Sequence, residues 1–181
     1  MRIVSGSCRG RVITPPTNFK ARPTTDFAKE NIFNVINNVF DIEELEVLDL
    51  FSGTGAISYE FASRGAKSVT SIEMNHGHQS FIKRTAELLK LTAIKSMRMN
   101  AFVFLKTCRL NYDFIFADPP YDLEGIETIP DSVFKKEMLR EDGWFVLEHS
   151  KYTDFSSHPN FSSKRAYGSV NFSIFTNTPT K

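Results

Sequence analysis

The sequence predicts an α/β fold: a mostly parallel sheet with helices on both faces, a C-terminal antiparallel hairpin and a small N-terminal β-hairpin appendage. Three observations carry this. Between residues 46 and 148 short strand-like runs alternate with helical stretches, and each crossover between parallel strands must carry a helix. A glycine-rich turn joins the first of these strands to its helix. After residue 150 the rhythm gives way to two strand-like runs around Gly168.

Taken in order, Arg2 to Val4 and Arg11 to Thr14 read as short strands around a turn from Gly6 to Gly10, followed by the breaker pair Pro15-Pro16. From Thr24 or Thr25, a good N-cap, the positions Phe27, Ala28, Ile32, Phe33, Val35, Ile36 and Val39 recur at helical spacing up to Phe40. Strands are then expected at Glu46–Phe51, Lys67–Glu73, Ile94–Met99, Tyr112–Ala117 and Trp144–Glu148. Helices are expected between them at Ala56–Arg64, His76–Leu91, Ala101–Thr107 and Ile126–Leu139. Phe161–Tyr167 and Ser169–Phe175 form the closing hairpin. With 181 residues, 41% of them hydrophobic, the chain suits one well-packed domain. The expected division is a basic hairpin over residues 1–23 and a core over 24–181.

The net charge of +1 argues against an indiscriminate polyanion binder. Its distribution is uneven. Residues 1–30 hold Arg2, Arg9, Arg11, Lys20, Arg22 and Lys29 against Asp26 and Glu30, whereas residues 31–60 hold acids and no Lys or Arg. The N-terminal end is therefore the better candidate for phosphates. Cys8 and Cys108 lack pairing or metal spacing, which suits a reducing compartment. The first residues have no apolar h-region and no window approaches a membrane span, so a soluble, cytoplasmic protein is expected, with no membrane partner.

The first core strand runs into Asp49-Leu50-Phe51-Ser52-Gly53-Thr54-Gly55. Gly53 and Gly55 let the backbone bend tightly and approach a ligand at the carboxyl ends of the strands. A glycine pair is weak evidence alone, since such turns also merely reverse chains. A dinucleotide site would want a third glycine at position 58, which is Ser, and no phosphate-loop motif is present. Asp49 instead suits a cationic ligand such as S-adenosylmethionine, although an ordinary loop acid fits too. Glu73 ends the second strand about twenty residues after the glycine turn, where a carboxylate meets ribose hydroxyls. Met74 and Phe102 are placed to hold an adenine ring, with Asn100 reading its amino edge and Ala101 beside it; ordinary packing explains each of them equally well taken singly.

The fourth strand ends in Asp118-Pro119-Pro120-Tyr121. Two prolines cannot join a sheet ladder, so the strand must stop with its carbonyls turned outwards. An exocyclic amine on a nucleobase is a poor nucleophile with two N–H donors. The Asp118 carboxylate and the Pro119 carbonyl could accept both, hold the nitrogen in line with a sulfonium methyl and favour its pyramidal form. Tyr121 offers a face for an extruded base, a contact of ~1–3 kcal/mol. Positioning, not proton abstraction, is the main requirement. A stiff turn is the alternative wherever the tetrapeptide stands without the upstream glycine turn and strand-end acid.

The glycine turn, strand-end acid and Asp-Pro-Pro-Tyr, in this order, resemble the Rossmann-like class I methyltransferases. Closer similarity is to the bacterial RsmD family of 16S ribosomal RNA guanine-N2 methyltransferases. It rests on Met1-Arg2-Ile3-Val4-Ser5-Gly6, Arg9-Gly10-Arg11, Arg22-Pro23-Thr24-Thr25-Asp26, Lys29-Glu30, Phe33-Asn34, Ser63-Arg64-Gly65-Ala66, Glu148-His149 and Tyr167-Gly168, and covers essentially the whole chain. The resemblance implies methylation of a guanine N2 amine in 16S rRNA, within the assembled or assembling small ribosomal subunit, by a monomer that converts S-adenosyl-L-methionine to S-adenosyl-L-homocysteine. Arg9, Arg11, Lys20 and Arg22 become candidate RNA contacts. Phe27 and Asn100 depart from the family, which usually has a basic residue and an Asp there.

His76 and His78 lack a supporting acid or Cys cluster, so no metal is expected. His149 lies near the expected pocket without an assigned role. Two other classes compete. A DNA adenine-N6 methyltransferase would use the same acceptor wall but needs a target-recognition segment for which there is little room. A non-catalytic RNA-binding or ribosome-assembly protein would not need Asp118 and Tyr121. A protein glutamine methyltransferase would more naturally carry Asn at position 118.

Overall fold

The computed structural model describes residues 1–17, 19 and 25–177. Among them, β1 (Glu46–Leu50), β2 (Ser68–Glu73), β3 (Ile94–Arg98), β4 (Tyr112–Ala117), β5 (Leu139–His149), β6 (Phe161–Tyr167) and β7 (Val170–Thr176) form one sheet in the order β3-β2-β1-β4-β5-β7-β6. β1 to β5 pair in parallel, and β7 joins β5 antiparallel with β6 outside it. The helices are α1 (Asp26–Asn37), α2 (Ala56–Ser63), α3 (His76–Leu88), α4 (Ala101–Thr107) and α5 (Thr128–Lys135). Two apolar clusters cover the sheet. One packs Ile32, Phe33 and Ile36 of α1 and Phe61 of α2 against Val47, Phe114 and Phe116. The other packs Phe104, Leu105 and Ile129 against Leu48, Ile115 and Phe145.

The strand order reverses at β1, which has β2 on one side and β4 on the other. The chain steps outwards from β1 to β3 and then returns through α4 to lay β4 on the other side of β1, opening a crevice at the carboxyl ends of the strands. Local signals start each flanking helix. Thr25 caps α1 by accepting from Ala28 N, Asn75 caps α3 through His78 N, and Asn100 caps α4 through the amides of Phe102 and Val103.

Two expectations need correction. The α1 pattern included Phe27 and Val39, yet they are 64% and 55% exposed, and the buried face instead contains Lys29. The helix expected over Ile126–Leu139 is only Thr128–Lys135, because Leu139 already pairs with Tyr112 as the start of a long β5. Glu137, at φ 51°, turns the chain between them.

The N-terminal hairpin forms where the sequence places it. Ile3 N donates to Arg11 O at 3.0 Å and Ile13 N to Met1 O at 2.9 Å, around an isolated Arg2–Val12 bridge. It lies along α2 and packs onto the core. Ile3 and Ile13 are buried, and Val4 N and Ser5 N donate to the Glu60 carboxylate at 2.9 and 3.0 Å. Glu60, fully buried, also pairs with Lys29 at 3.4 Å and Arg64 at 2.9 Å. Gly6, at φ +81°, lies so near Ser63 that a Cβ would sit 1.8 Å from its carbonyl oxygen. No other residue fits there.

Candidate active site

The carboxyl ends of β1, β2, β4 and β5 enclose a cavity of about 560 Å³. Its floor is the turn after β1. Phe51 and Gly53 adopt φ values of 58° and 53° and Gly55 one of 87°. A bulky residue in the left-handed region is strained, so the surroundings must hold it. Ser52 does so by donating its amide to Ile72 O at 3.0 Å and its hydroxyl to Asp49 O at 2.7 Å, while the Phe51 ring meets Phe102 edge-on at 6.0 Å.

Asp49 is buried beneath this turn and accepts a 2.5 Å hydrogen bond from Ser58 Oγ. Ser58 occupies the place where a dinucleotide fold would have its third glycine. Burial raises the Asp49 pKa to about 7, opposed by hydrogen bonds from Ser58 and Ser52 and reinforced by the nearby Glu73 charge. Among the described residues, none of the influences on Asp49 is a cation. Glu73 is clamped by two loops, accepting from Gly53 N at 2.9 Å and Asn75 N at 2.6 Å. Met74, 62% exposed, and Phe102 line the same wall, with Ala101 buried at the start of α4.

Asn100 has a different geometry from the one expected. Its Oδ1 accepts from Phe102 N at 2.9 Å and Val103 N at 3.2 Å, and its Nδ2 faces Met74 Sδ at 3.5 Å. With the oxygen occupied in capping, the amide presents a donor to the cavity, which suits a ring nitrogen better than an amino group.

β4 delivers the tetrapeptide to the opposite wall. Asp118 N donates to Leu50 O at 3.3 Å, so the chain leaves the sheet beside β1. Asp118 is half-buried, Pro119 buried and Pro120 exposed, and all three line the cavity. Tyr121 is 43% exposed, and its hydroxyl donates to Glu148 Oε1 at 3.1 Å.

Glu148, Ser58, Thr25 and His78 were not among the expected site residues. Glu148, at the end of β5, and Thr25, at the start of α1, line the cavity, as does His78. The sequence held a signal for Glu148 in its position as an acid at a strand end. His149 turns away from the cavity: its Nδ1 is 2.8 Å from Ser150 O, its Nε2 is 2.8 Å from Ser173 Oγ, and its ring packs on Phe155. Burial holds its pKa below the usual histidine value.

The basic hairpin residues are not gathered at the cavity. Arg9 and Arg11 are exposed near the hairpin tip, where Ser7 N bonds Ser63 O at the C-terminal end of α2. An eight-residue helix separates that end from the glycine turn, about 12 Å. Lys20 and Arg22 lie outside the described residues. Among the described residues no cluster of His, Cys, Asp and Glu could hold a metal, and no helix is long and apolar enough to cross a membrane.

A buried acid in place of a phosphate loop, a carboxylate ending the next strand and the Asp118–Tyr121 segment across the switch point separate this sheet from a dinucleotide fold. They place it in the class I S-adenosylmethionine-dependent methyltransferases. Residues 1–176 match the family described as Conserved hypothetical protein 95. YlbH of Bacillus subtilis (strain 168) is 30% identical over 182 residues, 97% of this chain and 98% of that one. Ribosomal RNA small subunit methyltransferase D of Escherichia coli (strain K12) is 32% identical over 156 residues, 85% of this chain and 74% of that one. The solved yhhF protein of Escherichia coli superimposes with a TM-score of 0.85 at 26% identity, covering 99% of each chain. The chain belongs to this family, the RsmD methyltransferases.

Proposed function

We propose that the chain methylates the exocyclic N2 amine of one guanine in 16S rRNA, on a small-ribosomal-subunit particle in the cytoplasm, acting as one domain over residues 1–181. The observation that carries this is the Asp118–Tyr121 wall facing the Asp49 and Glu73 carboxylates across one cavity. The naming of the Escherichia coli relative supports rRNA as the substrate.

The residues present fit S-adenosylmethionine, since a buried acid influenced by no described cation suits the amino group of that ligand. Asp49 would meet this amine, Glu73 the ribose hydroxyls, Met74 and Phe102 the adenine faces, and Asn100 a ring nitrogen. Phe51, Gly53, Gly55 and Ala101 shape the backbone around it. The bound cofactor supplies an electrophilic methyl group. Asp118 Oδ and the Pro119 carbonyl accept the two amine hydrogens and so direct the nitrogen lone pair away from the ring π-system. Tyr121 stacks on the extruded base, with its hydroxyl anchored by Glu148. Pro120 keeps the wall from flexing. Arg9 and Arg11 would contact phosphates about a helix length from the target base, and Lys20 and Arg22 are proposed for the same task.

The test offers labelled cofactor with small subunits, naked 16S RNA and duplex DNA in parallel, followed by nucleoside analysis. N2-methylguanine in the small-subunit RNA is the expected product. Label in N6-methyladenine, or in DNA alone, overturns the proposal.

A further inference from the structure

The acceptor wall extends beyond the tetrapeptide. Ala117 of β4 and Leu147 of β5 are the last paired positions of these parallel strands, so Asp118 and Glu148 come next, side by side. Neighbouring strands lie about 4.8 Å apart. Both residues line the cavity, and Glu148 is 3% exposed. A carboxylate this buried needs donors. One is the Tyr121 hydroxyl, on the ring against which the base is proposed to stack. A carboxylate has about four acceptor sites, more than the Tyr121 hydroxyl alone can fill.

We propose that Glu148 selects guanine by accepting the N1–H of the target base while Asp118 and Pro119 accept from its exocyclic amine. This rests on the guanine-N2 reading of the same site. Guanine presents N1–H and the N2 amine as adjacent donors on one edge. Adenine and cytosine present an amine beside a ring nitrogen that carries a lone pair and no hydrogen. Two acceptors on neighbouring strand ends match the guanine edge. Facing adenine or cytosine, the Glu148 carboxylate would meet another acceptor, and that base would lose a hydrogen bond which guanine makes. The tetrapeptide thus recognises an amine, and Glu148 recognises which base carries it.

A purely structural Glu148, bracing Tyr121, would affect all bases alike. The discriminating experiment uses reconstituted small subunits carrying either guanine or 2-aminopurine at the methylated position. 2-Aminopurine keeps the amine but has an acceptor at N1. Methyl transfer by the wild-type chain and by Glu148→Gln is compared as kcat/KM, with cofactor binding measured separately. In the variant the amide oxygen still accepts from Tyr121, while the amide nitrogen donates to an acceptor N1. The wild type is expected to prefer guanine by roughly 10- to 100-fold, and Glu148→Gln to shift that ratio towards 2-aminopurine by at least about tenfold with unchanged cofactor affinity. A wild-type chain that uses both bases equally overturns the inference without any variant. So does an unchanged ratio in a cofactor-binding variant, and in both cases formation of N2-methylguanine leaves the proposed activity standing. A wild-type chain that makes no N2-methylguanine overturns both.

Discussion

On the β1–β3 side of the cavity the polar side chains are fastened by backbone amides or a buried hydroxyl, whereas the β4–β5 side exposes a tyrosine whose hydroxyl reaches a carboxylate on the next strand. Glu73 is held by the amides of Gly53 and Asn75, Asp49 by Ser58, and Asn100 by the first turn of α4. Across the cavity, Tyr121 is 43% exposed and bonds Glu148, 27 residues further along the chain. The difference follows from the two ligands proposed for the site. A small cofactor that is the same in every turnover is bound best by groups already ordered, because the ordering entropy is then lost in folding and not in binding. A base carried on a macromolecule must enter from outside, so its side stays open.

The largest expected effect separates the two sides. Asp118→Ala removes an acceptor from the base side, and kcat is expected to fall by roughly 10³ or more while cofactor affinity by calorimetry stays within about twofold. Undiminished turnover would break the assignment of the wall. Glu73→Ala strikes the other side: the cofactor Kd is expected to weaken by about 10- to 100-fold, and unchanged affinity would remove Glu73 from the cofactor site.

Asp49 sharpens the comparison through pH. Its pKa in the free protein is raised to about 7, so below that pH it carries a proton that a cationic ligand must displace. Cofactor affinity is therefore expected to be about tenfold weaker at pH 6 than at pH 8, with proton release on binding near neutrality and a flattened profile in Asp49→Asn. Calorimetry in buffers of different ionisation enthalpy measures that release. In the unliganded chain the sign is opposite for folding. A raised carboxyl pKa means the folded state holds the extra proton, so this group's contribution to stability is present below the ordinary value of 3.8 and is lost as pH rises through about 7. The smallest effect belongs to Tyr121→Phe, which keeps the ring but loses the Glu148 bond. An increase of about 3- to 10-fold in KM for RNA is expected, with cofactor binding untouched; altered cofactor affinity would mean the two sides are coupled.

Much of the site was legible in the sequence because its signals are short-range. The glycine turn, the acid closing β2 and the proline pair each act through the backbone of a few consecutive residues, and the structure brings Asp49, Glu73, Met74, Asn100, Phe102 and Asp118–Tyr121 to one cavity. Asn100 shows where such reasoning stops. Its place at the cavity was readable, but the direction of its amide depends on capping α4. Arg9 shows the same limit, since a basic hairpin is visible as composition while its direction along α2 is set by Glu60 and Ser63.

The amino-acid sequence by itself determined the alternation of strands and helices, the turn after β1 and the stiff tetrapeptide that ends β4, because periodicity, glycine freedom and proline geometry are local properties. The tertiary structure alone decided what stands beside each of them. Lys29 could be buried only because Glu60 meets it, Ser58 became the holder of Asp49 when α2 packed on β1, and Glu148 reached Asp118 through a parallel pairing of β4 with β5. These are meetings of residues on different elements, and they exist only once helices and strands have packed in their final order and register.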